Sequence, residues 1–354
     1  MDRPIDPPLG VAARGDRPDR CSVTMTDVNP NPEAEPTSTD RLDTDRALPV
    51  KEAAALAGDV VSNAQEVIVG NRDVITHLVT AMLGRGHVLL DDVPGVGKTM
   101  LARAVARSVD ASFKRVQFTP DLLPSDVTGV NVFNQKTREF DFRSGPVFAN
   151  VLLGDEINRA PPKTQSALLE AMEESQVTVD GETYSLPRPF TVIATQNTVD
   201  PNRTYELPLA ELDRFMKKLE LGYPDEASET AMLDRVAGVH PIETLEPVAD
   251  RDRLRRARAT VATVTVGEPV RQYVTRLARY TREHASLGVS PRGSIALLRA
   301  AQARAVLDGR DYVIPDDVQH EADAVLVHRV RVDAGREGTG VDVIRAAVEG
   351  VRVE

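Results

Sequence analysis

The sequence predicts an α/β fold, in which a parallel sheet flanked by helices carries β-hairpin inserts and is followed by a small all-α domain. Two observations support this prediction. As far as residue 222, short apolar runs alternate with segments whose apolar residues recur at helical spacing. After Gly222-Tyr223-Pro224 only helical segments follow, separated by proline or glycine. We therefore assign residues 49–222 to the α/β domain and residues 223–354 to the helical domain.

The N-terminal segment has a different composition. Residues 1–48 are rich in Pro, Asp, Arg, Thr and Asn and contain few large apolar side chains. Burial of so few apolar groups cannot offset the entropy of ordering the chain, so we expect a disordered tail. Residues 1–24 are Arg-rich, whereas the segment from Met25 has the composition of an ordinary polar N-terminus. Met25 is therefore a candidate for the true start of translation.

The overall composition limits the classes of function. Of the 354 residues, 41% are hydrophobic, which is enough for one large domain or two ordinary domains. The formal net charge of −11 and the pI near 5.2 disfavour nucleic acid and anionic lipid as partners. The one dense basic run, residues 251–258, is expected to be the solvated face of a helix.

Cysteine content and hydropathy point to the compartment. The single cysteine, Cys21, excludes an intramolecular disulfide and a cysteine-based zinc site. No apolar stretch is long enough to span a bilayer, and the N-terminus lacks the apolar centre of a signal peptide. We expect a cytoplasmic protein with no transmembrane segment and no direct contact with nucleic acid.

The predicted elements follow from the periodicity of apolar residues. Buried strands are predicted at residues 87–91, 149–156 and 190–197. Helices of the first domain are predicted at residues 51–70, 72–86, 99–110 and 163–175. Hairpins are predicted at residues 129–142 and at residues 176–187, where apolar and polar residues alternate about Asp180-Gly181. Helices of the second domain are predicted at residues 225–238, 252–262, 268–285, 293–309 and 315–330.

A glycine-rich segment, DDVPGVGKT at residues 91–99, lies between a predicted strand and a predicted helix. The backbone of its loop can surround phosphate with N–H groups, and the helix N-terminus adds a positive dipole. Lys98 is expected to reach the β- and γ-phosphates, and the Thr99 hydroxyl to bind Mg²⁺. The loop residues are Pro94, Gly95, Val96 and Gly97.

Polar residues end the other two predicted strands. Asp155 is suited to hold a metal ion, and Glu156 beside it to polarise an attacking water. Asn197, at the end of the next strand, could orient that water. An acidic pair alone would equally fit a strand end in a loop. The order lysine, acidic pair and polar strand end is what three strands of one sheet would bring together.

Arg214 and Arg292 are the remaining candidates, because a guanidinium can neutralise the charge that develops on transferring phosphoryl oxygens. Each one considered alone would also fit a surface or salt-bridge residue. Sequence patterns do not decide between these two interpretations.

The motifs together resemble a known family. The string GDEINRAPPKTQSALLEAMEE at residues 154–174, with DVPGVGKT before it, ATQN and LDRF after it and SPRG in the helical part, resembles the MoxR branch of the AAA+ ATPases. The resemblance covers about residues 50–354. It implies an AAA+ P-loop domain followed by a helical lid domain, with the first hairpin as the helix-2 insert and the second as the presensor-1 hairpin.

The resemblance also implies a role for each motif. The loop becomes Walker A, the acidic pair Walker B, Asn197 sensor 1, Arg214 the arginine finger for a neighbouring subunit and Arg292 sensor 2. The implied nucleotide-binding residues are Val69, Gly70, Pro94, Gly95, Val96, Gly97, Lys98, Thr99 and Met100. The implied Mg²⁺ ligands are Thr99 and Asp155, and the implied catalytic residues are Glu156, Asn197, Arg214 and Arg292.

Asp92 departs from the general G-x-x-x-x-G-K-[ST] pattern, which has glycine at this position. An acid here is familiar in the MoxR branch. A carboxylate facing phosphate would weaken binding, so we expect Asp91 and Asp92 to turn away from it. An Asp92→Gly variant is then expected to bind nucleotide as well or more tightly.

The residues and the resemblance predict a Mg²⁺-dependent ATPase, a homo-oligomer for which the resemblance implies a hexameric ring. Its implied partners are protein clients, including proteins with a von Willebrand factor A domain. Three alternatives stay open: a scaffold that binds ATP without turnover, a chelatase-like motor subunit and a nucleic-acid motor. The joint presence of Glu156, Asn197 and Arg214 argues against the scaffold, and an aromatic content of 4% argues against a nucleic-acid motor.

Overall fold

A five-stranded parallel sheet forms the centre of the computed structural model, which describes residues 46–197, 205–236, 241–333 and 338–353. The strand order is β2-β5-β8-β1-β9, so the carboxyl ends of β5, β8 and β1 lie side by side. The strands are β1 (Val88–Asp91), β2 (Phe113–Gln117), β5 (Val151–Asp155), β8 (Thr191–Gln196) and β9 (Lys217–Leu219), and the intervening numbers belong to two hairpins. The three predicted strands are β1, β5 and β8, whereas the edge strands β2 and β9 were not predicted.

Six helices belong to the predicted α/β domain within the described residues. They are α1 (Val50–Val67), α2 (Arg72–Leu83), α3 (Lys98–Ser108), α4 (Pro124–Thr128), α5 (Pro162–Glu174) and α6 (Leu209–Leu212). The four long helices match the predicted ones. Helix α3 follows β1 directly after the glycine-rich loop, which is the strand-loop-helix order that a phosphate-binding motif requires.

The two predicted hairpins are present and contact each other. The first is formed by β3 (Gly129–Asn134) and β4 (Glu139–Ser144), the second by β6 (Gln176–Val179) and β7 (Glu182–Ser185). The ring of Phe142 stacks on that of Tyr184, with centroids 3.9 Å apart. Asn131 Nδ2 donates a hydrogen bond of 2.9 Å to Asp180 Oδ2. The two hairpins are therefore packed against each other.

Helices make up the described part of the chain after residue 223. They are α7 (Glu226–Val236), α8 (Pro241–Thr244), α9 (Arg251–Thr263), α10 (Glu268–His284), α11 (Pro291–Leu307), α12 (Pro315–Leu326) and α13 (Gly340–Gly350). Sequence periodicity identified five of them and missed α8 and α13. In the described residues, no helix is both long and apolar enough to cross a membrane.

The C-terminal helices share one buried apolar core with α1 and α2, and the described residues from Arg46 onward belong to a single compact unit. The predicted boundary at residue 222 therefore does not separate two independent cores. A buried ion pair joins the helical part to the sheet edge: Lys217 Nζ on β9 lies 2.5 Å from Glu321 Oε2 on α12, and both side chains are fully buried. Lys217 also donates to Thr80 Oγ1 at 2.6 Å, on α2.

The predicted tail extends too far along the chain. Residues 1–45 lie outside the described residues, but Leu48 is buried at 4% exposure. Thr260 Oγ1 on α9 donates a hydrogen bond of 2.8 Å to the carbonyl of Leu48, and Arg256 Nε donates one of 3.1 Å to the carbonyl of Arg46. The packed chain thus begins before residue 49, because these residues gain partners from a helix more than 200 positions away.

Candidate active site

The glycine-rich loop connects the end of β1 to the first turn of α3. Gly95 and Gly97 have φ angles of 89° and 95°, which favour glycine over residues with a side chain. Lys98 is the first residue of α3, followed by Thr99 and Met100, so the loop ends where helix N–H groups lack intrahelical partners. Lys98 Nζ donates a hydrogen bond of 2.7 Å to the carbonyl oxygen of Asp92.

The two acids that open this segment are bound on the β9 side of the loop. Asp92 Oδ2 accepts hydrogen bonds from the N–H groups of Leu221, at 2.6 Å, and Gly222, at 2.9 Å, while its Oδ1 accepts from the N–H of Val93 at 2.8 Å. Asp91 Oδ2 lies 2.5 Å from Lys218 Nζ. Both carboxylates therefore have partners on the strand and segment that follow β1 in the sheet, in agreement with the expectation that they turn away.

Lys98 lies close to the acids at the strand ends. Burial lowers the pKa of Lys98, while the charges of Asp92, Asp155, Asp91 and Glu156 act in the opposite direction. The acidic pair on β5 and the lysine after β1 are therefore within electrostatic reach of each other, as the sheet order requires.

Asp155, the last residue of β5, is held from two sides. Thr195 Oγ1 on β8 donates to Asp155 Oδ1 at 2.6 Å, and Arg115 on β2 binds Oδ2 through Nε at 3.1 Å and Nη2 at 2.5 Å. Within the described residues, no three His, Cys, Asp or Glu side chains lie close enough together to hold a metal unaided. The oxygens of Thr99 and Asp155 nevertheless suit Mg²⁺, which usually completes its coordination with substrate phosphates and water.

Glu156 follows Asp155 in a left-handed conformation, with φ 55° and ψ 51°. Its Oε2 accepts hydrogen bonds from Gln117 Nε2 at 2.8 Å and from Arg159 Nη1 at 2.9 Å, and its backbone N–H donates to Thr195 Oγ1 at 2.9 Å. The non-glycine left-handed backbone is therefore fixed by a hydroxyl on the neighbouring strand.

Asn197 directly follows β8, between the ends of β5 and β1. The register pairs Leu90 with Thr195 and Gly154 with Ala194. Asn158 Nδ2 donates to the carbonyl oxygen of Asn197 at 3.2 Å. The polar end of β8 thus lies at the same edge of the sheet as the acidic pair and the loop.

Arg214 and Arg292 both contact the carboxylate of Glu173, a residue that the sequence analysis did not identify. Glu173, near the end of α5, forms an ion pair with Arg292 through Oε1 and lies 3.4 Å from Arg214 Nε through Oε2. The structure therefore brings the two arginines to each other.

Val69 and Gly70 lie in the turn between α1 and α2. Gly70 has a φ of 72°, and a Cβ atom there would lie 3.0 Å from Ser228 Oγ on α7. This turn therefore packs closely against the first helix after the sheet, and its contact with adenine stays a prediction.

Polar partners of the site went unrecognised in the sequence, namely Arg115, Gln117, Thr195 and Glu173. Thr195 and Gln117 could have been found from their places near the ends of strands. No sequence pattern near Arg115 or Glu173 indicates a role in the site, because the residues that they contact are distant in sequence.

A parallel sheet with a glycine-rich loop after β1 and an acidic pair at the end of β5 is the architecture of the P-loop ATPase fold. A model described as the ATPase family associated with various cellular activities matches residues 87–217, and one described as an AAA lid domain matches residues 277–347. The chain belongs to the MoxR family of AAA+ ATPases, as its relatives show.

Three comparisons support this assignment. Chaperone MoxR1 of Mycobacterium tuberculosis is 41% identical over 76% of this chain and 74% of its own length. Uncharacterized protein YeaC of Bacillus subtilis is 51% identical over 84% of this chain and 95% of its own. A candidate ATPase of known structure from Cytophaga hutchinsonii is 35% identical, with a TM-score of 0.80 over 86% of this chain and 97% of that one.

Proposed function

We propose that this protein is a Mg²⁺-dependent ATPase that acts as a ring-shaped homo-oligomer in the cytoplasm and remodels protein partners. The observation that carries the proposal is that the loop ending in Lys98 follows β1, while Asp155 and Glu156 lie at the carboxyl end of β5 in the same parallel sheet, separated from β1 only by β8. Nucleotide binding and ATPase chemistry are general in the AAA family, and the name of the mycobacterial relative supports a chaperone-like role.

Binding of the triphosphate is assigned to the loop and to Lys98. The ammonium group has three donors and uses one on the carbonyl of Asp92, so it can also reach phosphate oxygens. Thr99 and Asp155 would hold Mg²⁺, which would neutralise charge on those oxygens. Val69 and Gly70 are assigned to the adenine.

Glu156 is assigned the role of polarising the attacking water. Its hydrogen bonds from Gln117 and Arg159 both engage Oε2. Oε1 is therefore the oxygen that can accept a hydrogen bond from water. Asn197, at the end of the adjacent strand, would orient the same water.

Arg214 and Arg292 are assigned to the developing charge of the transferring phosphoryl group. In the family's arrangement the arginine finger serves a neighbouring copy, which requires head-to-tail assembly, for which we propose a hexamer. Turnover would then depend on assembly.

The paired hairpins are assigned to protein partners, with von Willebrand factor A domain proteins as candidates. Phe133 and Phe140 at the end of the first hairpin are 49% and 70% exposed, and their rings lie 5.4 Å apart. Exposed aromatic pairs of this kind are typical of protein-binding surfaces.

The central test compares Lys98→Ala with Glu156→Gln. Lys98→Ala is expected to lose ATP binding, whereas Glu156→Gln keeps binding and loses hydrolysis, because only the lysine contacts phosphate before the reaction. Nucleotide binding and phosphate release are measured for both variants. Equal loss of binding in the two variants would contradict the assigned roles.

Assembly is tested by mixing inactive variants. A Glu156→Gln subunit still provides Arg214, and an Arg214→Ala subunit still provides Glu156, so mixed rings should regain part of the activity. Subunit exchange is checked with differently tagged chains. Mixed assemblies without activity, or full turnover by a dilute monomer, would rule out a site shared between copies.

A further inference from the structure

Glu173 receives two cationic side chains from different parts of the chain. Arg214 follows α6, and Arg292 lies in the first turn of α11. Glu173 Oε1 accepts a hydrogen bond from Arg292 Nη2, while Oε2 lies 3.4 Å from Arg214 Nε. One carboxylate therefore bridges two guanidinium groups.

The backbones that carry the two arginines are tied together separately. Asp213 Oδ2 accepts a hydrogen bond of 2.8 Å from Ser290 Oγ, which also accepts from the N–H of Gly293 and so caps α11. Asp213 Oδ1 accepts one of 2.6 Å from Arg329 Nε. Arg329 also donates to the carbonyls of Asp213, at 2.9 Å, and Phe215, at 2.7 Å. Hydrogen bonds of Asp213 with Ser290 and Arg329 thus hold the segments that carry Arg214 and Arg292 next to each other, independently of Glu173.

This arrangement concentrates positive charge. Arg329 is buried, and its pKa is lowered mainly by burial, with Asp213 opposing the shift and the charge of Arg292 adding to it. Guanidinium groups stay protonated in proteins, so Arg214 and Arg292 would repel each other without an anion between them. Glu173 supplies that anion.

The carboxylate occupies only part of each guanidinium. It faces Nε of Arg214 and Nη2 of Arg292. Arg214 Nε makes no hydrogen bond within the described chain, so the contact is an ion pair without a full hydrogen bond. Because each guanidinium has five N–H donors, most donors remain for phosphoryl oxygens.

We propose that Glu173 is a positioning residue, which holds Arg214 and Arg292 as one convergent pair that acts together on the phosphoryl group bound by the neighbouring copy. This inference rests on the proposed ATPase function. An exposed ion pair without such a role would contribute little to stability and nothing to turnover.

The test compares Glu173→Gln with Glu174→Gln in the full chain. Glu174 is the neighbouring exposed acid at the end of the same helix. Glu173→Gln is expected to lower kcat about 10-fold or more, with ATP affinity nearly unchanged, because the reactive geometry is lost while the phosphate-binding loop stays intact. Glu174→Gln is expected to match the unmodified protein.

A double-mutant cycle supplies a second readout. In an Arg292→Gln background, Glu173→Gln should lower kcat no further, because without the Arg292 charge there is no arginine pair left for Glu173 to hold. Additive losses would show that Glu173 acts independently of Arg292 and would overturn the inference.

Other outcomes separate the two proposals. Faster turnover by Glu173→Gln would identify Glu173 as a competitor of phosphate and overturn the inference. Equal kcat for the Glu173 and Glu174 variants, in a protein that turns over ATP, would also overturn it and leave the ATPase function standing. Absence of turnover in the unmodified protein would overturn the proposed function and this role with it.

Discussion

The carboxylate of Asp92 accepts a hydrogen bond of 2.6 Å from the backbone N–H of Leu221, which joins the start of the glycine-rich loop to the segment after β9. Asp92, which stands where the general motif has glycine, therefore has a structural role in holding the loop against the segment after β9. Its three backbone donors would lose their acceptors in a glycine variant. These contacts lead us to expect weaker nucleotide binding by Asp92→Gly, in place of the equal or tighter binding expected from the sequence.

We predict that Asp92→Asn and Asp92→Gly both lower the free energy of unfolding by about 2 kcal/mol or more and weaken nucleotide binding. Asn replaces one of the two acceptor oxygens by an NH2 donor and Gly removes both, so backbone N–H groups of the loop or of the segment after β9 are left without an acceptor. Urea unfolding and nucleotide titration measure the two effects. Asp59→Asn, on the exposed face of α1, is the matched control. Equal stability of the Asp92 and Asp59 variants would show that the hydrogen bonds of Asp92 contribute nothing.

The hydroxyl of Thr195 is expected to align the acidic pair. It donates to Asp155 Oδ1 and accepts from the N–H of Glu156. Thr195→Val removes both hydrogen bonds at nearly constant shape and should lower kcat about 10-fold or more. Thr195→Ser keeps the hydroxyl and should retain most of the activity. If the serine and valine variants have the same kcat, the hydroxyl does not position these acids.

Lys217 and Glu321 form a buried pair between the sheet edge and the helical part, so each charge should depend on the other. Glu321→Gln leaves the Lys217 charge unpaired in the core and is expected to cost about 3–5 kcal/mol in unfolding free energy. A double variant, Lys217→Met with Glu321→Leu, should recover most of this loss. Equal stability of the single and double variants in urea would contradict the explanation.

The same pair predicts a dependence of stability on pH. Burial alone would raise the pKa of Glu321, but Lys217 and His77 outweigh it and hold the pKa at about 2, below its usual 4.5. A depressed pKa in the folded state stabilises the protein above the unfolded pKa, and this contribution is lost as pH falls toward 2. We expect the free energy of unfolding to fall between about pH 6 and about pH 3, and to fall less for Glu321→Gln than for the unmodified chain. Urea unfolding of both proteins at the two pH values measures this difference.

The start of the packed chain can be tested by shortening it. A chain that begins at Lys51 lacks Leu48 and should lose about 1.5–3 kcal/mol of unfolding free energy relative to one that begins at Arg46. Leu48→Ala in the longer chain is expected to reproduce much of this loss. Identical thermal stability of the two shortened chains would mean that burial of Leu48 is not needed.

Sequence patterns identified the central strands of the sheet, in which neighbouring residues are nearly all buried. The runs that form β1, β5 and β8 are apolar because both faces of these strands are covered. The edge strands were missed, since β2 exposes Lys114 and Arg115, and β9 buries Lys217 only because Glu321 neutralises it from a distant helix. The basic run at residues 251–258 was likewise only partly solvated.

Arg258 from that run is buried and donates to Thr191 Oγ1 at 2.7 Å. Local reasoning located the glycine-rich loop after β1 and the acidic pair at the end of β5, because each motif is contiguous in sequence; their roles in binding and hydrolysis stay predictions. It did not predict that Arg214 and Arg292 meet at Glu173, because that contact depends on how α5, α6 and α11 pack.

Helix α5 has a consequence of its own for how chemistry could become movement. It begins shortly after Glu156, carries Glu173 near its far end and passes directly into β6, the first strand of the second hairpin. Its 13 residues make a rod of about 20 Å. If Glu156 activates water as proposed, a tilt of α5 that starts near Glu156 would move Glu173 and the two arginines it binds. Through the stacked rings of Phe142 and Tyr184, the same tilt would reach both hairpins. Movement of α5 as a rigid helix would thereby couple the proposed ATP hydrolysis to movement of the protein partner bound by the hairpins.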